Sequence, residues 1–108
     1  MYGPVTQGED FDFTGQMLDD SGAPLPAIAS AFLVFAPILA EPAANHRFVA
    51  TGAVVVNNVA TAAYTYYPSP GDKTSLLAGD WLVQATVTLA GGQVRYSTPA
   101  PLRVNLPL

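Results

Sequence analysis

Apolar and polar positions alternate with a period of two along much of this chain. The clearest run is GDWLVQATVTL, in which Trp81, Val83, Ala85 and Val87 fall on one face and mostly polar side chains fall on the other. Such alternation is typical of a β-strand with one dry face. No segment shows a sustained helical period, so the pattern predicts a chain built from strands.

Three further segments extend this prediction. The opening strand EDFDFTGQML places two phenylalanines on one face, and the closing strand places Leu102, Val104 and Leu106 on one face. The segment from Ile28 to Ala36 is apolar at both alternating sets of positions. A strand of that kind is expected to be buried on both faces.

Turn signals separate the predicted strands. DDSGAP offers Gly22 for a positive φ, and AGG reverses the chain before a short strand whose apolar positions are Val94 and Tyr96. The Asn57-Asn58 pair is predicted to form a two-residue hairpin turn that pairs Ala53–Val56 with residues 59–62. The chain thus holds about seven strands, with turns every 8–12 residues.

This spacing of short strands predicts an all-β fold, an immunoglobulin-like β-sandwich of about seven antiparallel strands. The length of 108 residues predicts a single domain over 1–108, with residues 1–8 as an N-terminal arm. Within the sandwich, Tyr64, Tyr66 and Trp81 are expected in the core with their polar ends at the rim. Tyr67 falls on the opposite face and is predicted to be available for a contact.

Composition excludes several classes of function. Charged residues make up 11% of the chain, the net charge is −4 and no basic run occurs, so a nucleic-acid footprint is not expected. The absence of cysteine excludes disulfides and thiolate metal sites. The longest apolar run is broken by Pro37 and is shorter than the ~20 residues of a membrane span, so no membrane insertion is expected.

Catalytic chemistry has few candidate residues here. His46 is the only histidine, so a transition-metal site has too few ligands. No serine stands in the glycine-elbow context of a nucleophile, so a serine hydrolase is not expected. We therefore predict no enzyme activity, no cofactor and no metal site. Five acids of the first twenty residues leave calcium binding open, although a solvated strand edge and turn is the favoured interpretation. These acids are Glu9, Asp10, Asp12, Asp19 and Asp20.

The order of segments adds a family resemblance. FDFTGQMLDDSGAPLP opens the chain, AFLVFAP and GAVVVNNVATAAYTYYP follow, and LLAGDWLVQATVTLAGGQVRYSTPAPLRV closes it. This order resembles the immunoglobulin-like domains of tailed-bacteriophage virion proteins, notably the domain at the start of baseplate upper proteins. In that comparison Gly79, Asp80 and Trp81 hold the positions of a small residue, a spacer and an aromatic at the start of a strand.

The resemblance implies a non-enzymatic structural component of a virion, made in the host cytoplasm. It leaves open the tail, the baseplate, the neck and head decoration, and it implies self and other virion proteins as partners. The alternative is a carbohydrate-binding or adhesin-type β-sandwich module, with a glycan as the less favoured partner and Tyr67 as its contact residue.

An unusually uncharged surface predicts an oligomer or a repeated subunit, because contiguous exposed apolar patches usually mark protein contacts. The candidate contacts come from the segment 28–40, the following hairpin and one tyrosine. The predicted interface residues are Ile28, Phe32, Val34, Ile38, Leu39, Val54, Val56 and Tyr67.

Overall fold

The computed structural model describes residues 2–38 and 47–108, and this part of the chain is mostly β-structure. It contains nine strands and one short α-helix, α1, at Pro70–Ser75. The strands are β1 Tyr2–Thr6, β2 Phe13–Gln16, β3 Ile28–Pro37, β4 Phe48–Val49, β5 Ala53–Asn58, β6 Ala63–Tyr67, β7 Gly79–Leu89, β8 Val94–Tyr96 and β9 Ala100–Asn105.

The described strands form two sheets. The large sheet has the order β1-β9-β7-β3-β4, with β8 pairing with β7, and the small sheet has the order β2-β6-β5. The central pair of the large sheet is β3 with β7, which runs from the Ile28–Leu89 pair to the Pro37–Trp81 pair. Every pair is antiparallel except β1 with β9, which is parallel.

One hydrophobic core lies between the two sheets. The large sheet contributes the inward face of β7, and the small sheet contributes Phe13, Tyr64 and Tyr66. The ring of Tyr66 lies 5.1 Å from that of Phe13 and 5.7 Å from that of Phe35, so aromatic contacts join the sheets. The predicted core positions of Tyr64, Tyr66 and Trp81 are confirmed, since each is at most 3% exposed.

Two turn predictions are also confirmed. Gly22 has a φ of 84° in the turn after β2, and Gly92 has a φ of 87° in the turn between β7 and β8. Asp19 shapes the first of these turns, because its carboxylate accepts hydrogen bonds from the backbone N–H groups of Ser21 and Ala23. The residue types that tolerate these conformations therefore stand where the chain needs them.

The strand count and the direction of one pair differ from the prediction of about seven antiparallel strands. Residues 1–8 were expected to form an arm, yet Tyr2–Thr6 is a strand that runs parallel to β9. A parallel contact between the two ends of the chain has no local sequence signal. It also gives the large sheet an additional edge strand.

The predicted two-residue turn at Asn57-Asn58 is wrong. Both asparagines belong to β5, where Val56 pairs with Tyr64 and Asn58 pairs with Ala63. The side-chain oxygen of Asn58 accepts hydrogen bonds from the backbone N–H groups of residues 60 and 61. The turn therefore follows Asn58 and does not include it. The positive φ of 57° is supplied by Ala62.

Two burial predictions hold only in part. In β3, consecutive burial on both faces is limited to Leu33–Phe35, and Phe32 is 43% exposed. In the closing strand, Leu102 and Val104 are buried, but Leu106 lies beyond β9 and is 70% exposed. Phe32 is exposed because it lies on the outward side of the large sheet, whereas Leu106 is exposed because it follows the last paired residue of β9, Asn105.

Candidate functional site

The candidate site is the outward side of the large sheet, here called the outer face. Side chains alternate along a strand. The buried Leu33 and Val83 point into the core together with their cross-strand partners, Ala85 and Phe35. The residues that alternate with them along β3 and β7 point outward. The strand register then sets which outward side chains are neighbours. Four rows result: Ser30–Thr88–Val94, Phe32–Thr86–Tyr96, Val49–Val34–Gln84 and Ala36–Leu82–Pro101.

Five large apolar or aromatic side chains on the outer face are exposed. They are Phe32, Val49, Leu82, Val94 and Tyr96, with exposed fractions from 38% to 62%. The residues between them are threonine, glutamine and small side chains. The outer face is therefore suited to a protein contact, because burial of its exposed apolar side chains away from water is favourable.

Charged side chains border the outer face at two places. At one, Asp19, Asp20 and Arg95 line a pocket together with the outer-face residues Gln84, Val94 and Tyr96. The other place is an ion pair. Asp80 pairs with Arg103 across β7 and β9, with 3.2 Å between the Asp80 Oδ1 and Arg103 Nη1 atoms. Arg95 pairs with the inward-pointing Val87 and so lies on the other side of β8. Among the described residues, the four rows themselves carry no charged side chain.

The structure separates the predicted interface residues into three groups. Phe32, Ile38 and Tyr67 are exposed, with exposed fractions of 43%, 48% and 48%. Ile28 and Val34 are less than 10% exposed within the chain. The remaining described pair, Val54 and Val56, packs against the core. Leu39 lies outside the described residues.

Sequence reasoning missed Val94 and Tyr96 as outward residues, since it assigned them to a dry face. They are 55% and 62% exposed. The geometry of the turn explains their position: the backbone N–H of Leu89 donates to the carbonyl of Gln93, which closes the turn. Counting back from that pair places Val94 and Tyr96 opposite polar, outward-facing threonines of β7.

A second, smaller feature is a shallow open groove of about 360 Å³ beside Tyr67. The groove is lined by two acids, Asp10 and Asp12. Asp10 forms an ion pair with Lys73, which neutralises its charge. The pairing holds the pKa of Asp10 below its ordinary value, through the hydrogen bond first and the charge second. The groove is lined by Asp10, Phe11, Asp12, Tyr67, Pro68 and Lys73.

Asp72 is a buried acid that sequence reasoning did not single out. Ser69-Pro70-Gly71-Asp72 has capping-box spacing, and the box forms: the Asp72 N–H donates to Ser69 Oγ, and the Ser69 N–H donates to the Asp72 carboxylate. The same carboxylate accepts hydrogen bonds from the hydroxyl of Tyr66 at 2.7 Å and from the N–H of Gly52 at 2.8 Å. The N–H of Thr51 donates to it at 2.9 Å.

These contacts give Asp72 a structural role. It is 2% exposed and its oxygens are occupied by donors from the β4–β5 connection, β6 and the start of α1. The packing there is tight, since a Cβ at Gly52 would collide with the carbonyl oxygen of Tyr67. Asp72 therefore joins α1 to the small sheet and presents no free carboxylate to a ligand.

The two ionisable groups of this cluster shift in a consistent way. Burial raises the pKa of the Asp72 carboxyl, but hydrogen bonds from Tyr66, Thr51, Ser69 and Gly52 outweigh it, and the pKa lies below the ordinary 3.8. Burial, together with the neighbouring Asp72, raises the pKa of the Tyr66 hydroxyl. The carboxylate thus stays ionised and the hydroxyl stays protonated as its donor.

We expect Asp72 to make the fold sensitive to acid. A carboxyl whose pKa is lowered by folding stabilises the fold fully above its unfolded pKa, and this contribution is lost as the pH falls through the folded pKa. The free energy of unfolding should therefore decline below about pH 4, the ordinary range of an aspartate. Urea unfolding from pH 6 to pH 2 measures this. The decline should be shallower in Asp72→Asn, and an equal slope in both proteins would contradict the role of Asp72.

The five acids considered for calcium do not come together. Among the described residues, which include all five, no group of three or more acidic or histidine side chains could hold a metal ion. Asp10 is paired with Lys73, and Asp19 is committed to its turn, where bonds from Ser21 and Ala23 lower its pKa despite a small opposing effect of burial. His46 lies outside the described residues.

Comparison with known proteins adds no assignment. No protein-family model matches the chain, and the search of curated proteins found no relative. In the part of the chain that the structure describes, no helix is long and apolar enough to span a membrane.

Proposed function

We propose that this chain is an immunoglobulin-like domain that serves as a non-enzymatic structural component of a bacteriophage virion. Its place is the tail, the baseplate, the neck or a head decoration. It acts by packing against copies of itself or other virion proteins in a symmetric assembly. The virion assignment depends on the resemblance in segment order, and the packing role depends on the geometry of the outer face.

The strand order supports the immunoglobulin-like part of the proposal. In such domains the strands B, E and D form one sheet, and G, F and C, extended by C′ in the variable type, form the other. Here β2-β6-β5 corresponds to B-E-D, and β9-β7-β3-β4 corresponds to G-F-C-C′. The indole N–H of Trp81 donates to the carbonyl of Leu77 at 2.9 Å. This resembles the hydrogen bond of a tyrosine corner, made here by tryptophan.

The observation that carries the packing role is the outer face itself. Five exposed apolar or aromatic side chains stand in adjacent rows without a charge between them. Burying one such side chain contributes about 1.5–3 kcal/mol before the costs of association. Repeated around a symmetric particle, several modest contacts of this kind hold a subunit firmly.

A substitution in the middle of the outer face tests this role. Phe32→Lys should leave folding intact, because the side chain is 43% exposed, but it places a charge where a partner would pack. We expect incorporation of the variant into particles to fall at least about tenfold. Quantitative mass spectrometry of purified particles measures the incorporation.

Val59→Lys is the matched control, since Val59 is 52% exposed in the turn between β5 and β6, away from the outer face. It should be incorporated as the unmodified chain is. Normal incorporation of Phe32→Lys would remove the outer face as the contact surface.

A carbohydrate-binding module is the second candidate, and the groove beside Tyr67 is the observation that favours it. An exposed aromatic ring beside the free carboxylate of Asp12 offers a stacking surface and a hydrogen-bond acceptor for a sugar. Glycan-array binding that is lost in Tyr67→Ala and kept in Phe32→Lys would favour this candidate. Binding to no glycan would retire it.

A further inference from the structure

The edges of the two sheets differ in how they are protected. An exposed edge strand can pair with another chain, and natural proteins usually shorten it or add charge or proline to it. In the large sheet, β4 has two residues and β1 contains Pro4. In the small sheet, β2 has four residues and follows Asp10 and Asp12. Each of these edge strands carries at least one protective feature, and so does β8, which has three residues and contains Arg95. The part of β3 before Val34 also has no described partner strand on the β4 side.

The β5 strand, the other edge of the small sheet, has none of these features. Its sequence AVVVNN spans six residues without proline or charge. The surrounding segment from Phe48 to Gly71 contains no charged residue at all. Val55 is 46% exposed, and no described strand pairs with the outer edge of β5. The irregularity in its pairing with β6 lies beyond Val56, so Ala53–Val56 is a regular edge.

We propose that β5 pairs antiparallel with β5 of a second copy of this chain, which joins two small sheets into one continuous sheet. A twofold axis places each residue near the axis opposite the same residue of the other copy, so a charged side chain there would face an identical charge and be repelled. An uncharged strand is suited to such self-pairing, whereas the acids before β2 would repel their own copies. This contact would be one of the interfaces of the proposed virion assembly. Its biological role therefore rests on the proposed function.

The strand register gives the pairing a geometric signature. Thr14, Thr65 and Val55 form one row across β2, β6 and β5. With the axis near Val55, the two copies of Val55 lie one strand spacing apart, about 5 Å. The two copies of Thr14 are then separated by five spacings, about 24 Å. A dimer formed through the outer face of the large sheet would not give this pair of distances.

The lack of cysteine makes the test direct, because any introduced thiol is unique. In Val55→Cys, mild oxidation should give a disulfide-linked dimer. In Thr14→Cys, spin labels should give an inter-chain separation near 24 Å, allowing for the length of the labels. Val55→Lys should weaken dimerisation at least about tenfold in sedimentation velocity, because two lysines would oppose each other, whereas Thr14→Lys should not.

Three results would overturn the pairing: a monomer at all concentrations, a dimer that Val55→Lys leaves unchanged, or no cross-link from Val55→Cys. These results are separate from those that test the proposed function. A chain that enters particles but does not pair through β5 contradicts only this inference. A chain that pairs through β5 but is absent from particles contradicts only the virion role.

Discussion

Replacement of Asp72 with alanine is expected to lower the free energy of unfolding by about 3–5 kcal/mol, the largest effect of any single polar substitution proposed here. The Tyr66 hydroxyl and the N–H groups of Thr51, Gly52 and Ser69 would lose their acceptor together. A buried donor without a partner costs about 1–3 kcal/mol, and loss of a helix cap costs about 1 kcal/mol. Urea unfolding followed by the fluorescence of the single tryptophan measures the change.

Two companion variants make the test of Asp72 specific. Asp72→Asn keeps one acceptor oxygen and should lose less stability than the alanine variant. Asp80→Ala removes an exposed acid whose partner is Arg103, and surface pairs of this kind contribute about 0–1 kcal/mol. Equal stability of Asp72→Ala and Asp80→Ala would show that the cluster around Asp72 does not hold α1 to the small sheet.

Replacement of Trp81 with alanine is also expected to cost about 3–5 kcal/mol, the usual range for a large buried aromatic. Trp81 is 3% exposed, its ring lies edge-on to Phe48 at 5.7 Å, and its indole N–H is bonded to the carbonyl of Leu77. The alanine variant would leave a cavity at the end of the core and an unpaired carbonyl. Thermal unfolding by circular dichroism measures the loss.

The neighbouring Leu82 is the control for Trp81. It points to the outer face and is 38% exposed, so Leu82→Ala should stay within about 1 kcal/mol of the unmodified chain. A Trp81→Ala protein as stable as Leu82→Ala would mean that the inward face of β7 has been assigned to the wrong side.

Local patterns explain the parts of the fold that the sequence predicts well. The alternation in β7 and the bracketing of β3 by Pro26 and Pro37 define long strands, and glycines mark the turns that need positive φ. The hairpin after β5 was misassigned because an asparagine side chain can either tolerate a positive φ or hold a turn from within the strand. Asn58 does the second.

The candidate site was less predictable, because it depends on contacts between distant segments. The parallel pairing of β1 with β9 and the meeting of Phe32 with Tyr96 across Thr86 arise from sheet order, which no local pattern encodes. The role of Asp72 was accessible through its capping-box spacing with Ser69. Its contacts with the N–H groups of Thr51 and Gly52 were not accessible, because these groups lie about twenty residues earlier in the chain and no local pattern encodes such a meeting.

The central claim is that this chain is a virion subunit that packs through the outer face of the large sheet. The most direct measurement is electron cryomicroscopy of purified particles, with mass spectrometry to identify the chain in them. We expect repeated copies of this fold in which Phe32, Leu82 and Tyr96 are covered by a neighbouring subunit. Particles that lack the chain, or that hold it with the outer face in solvent, would contradict the account.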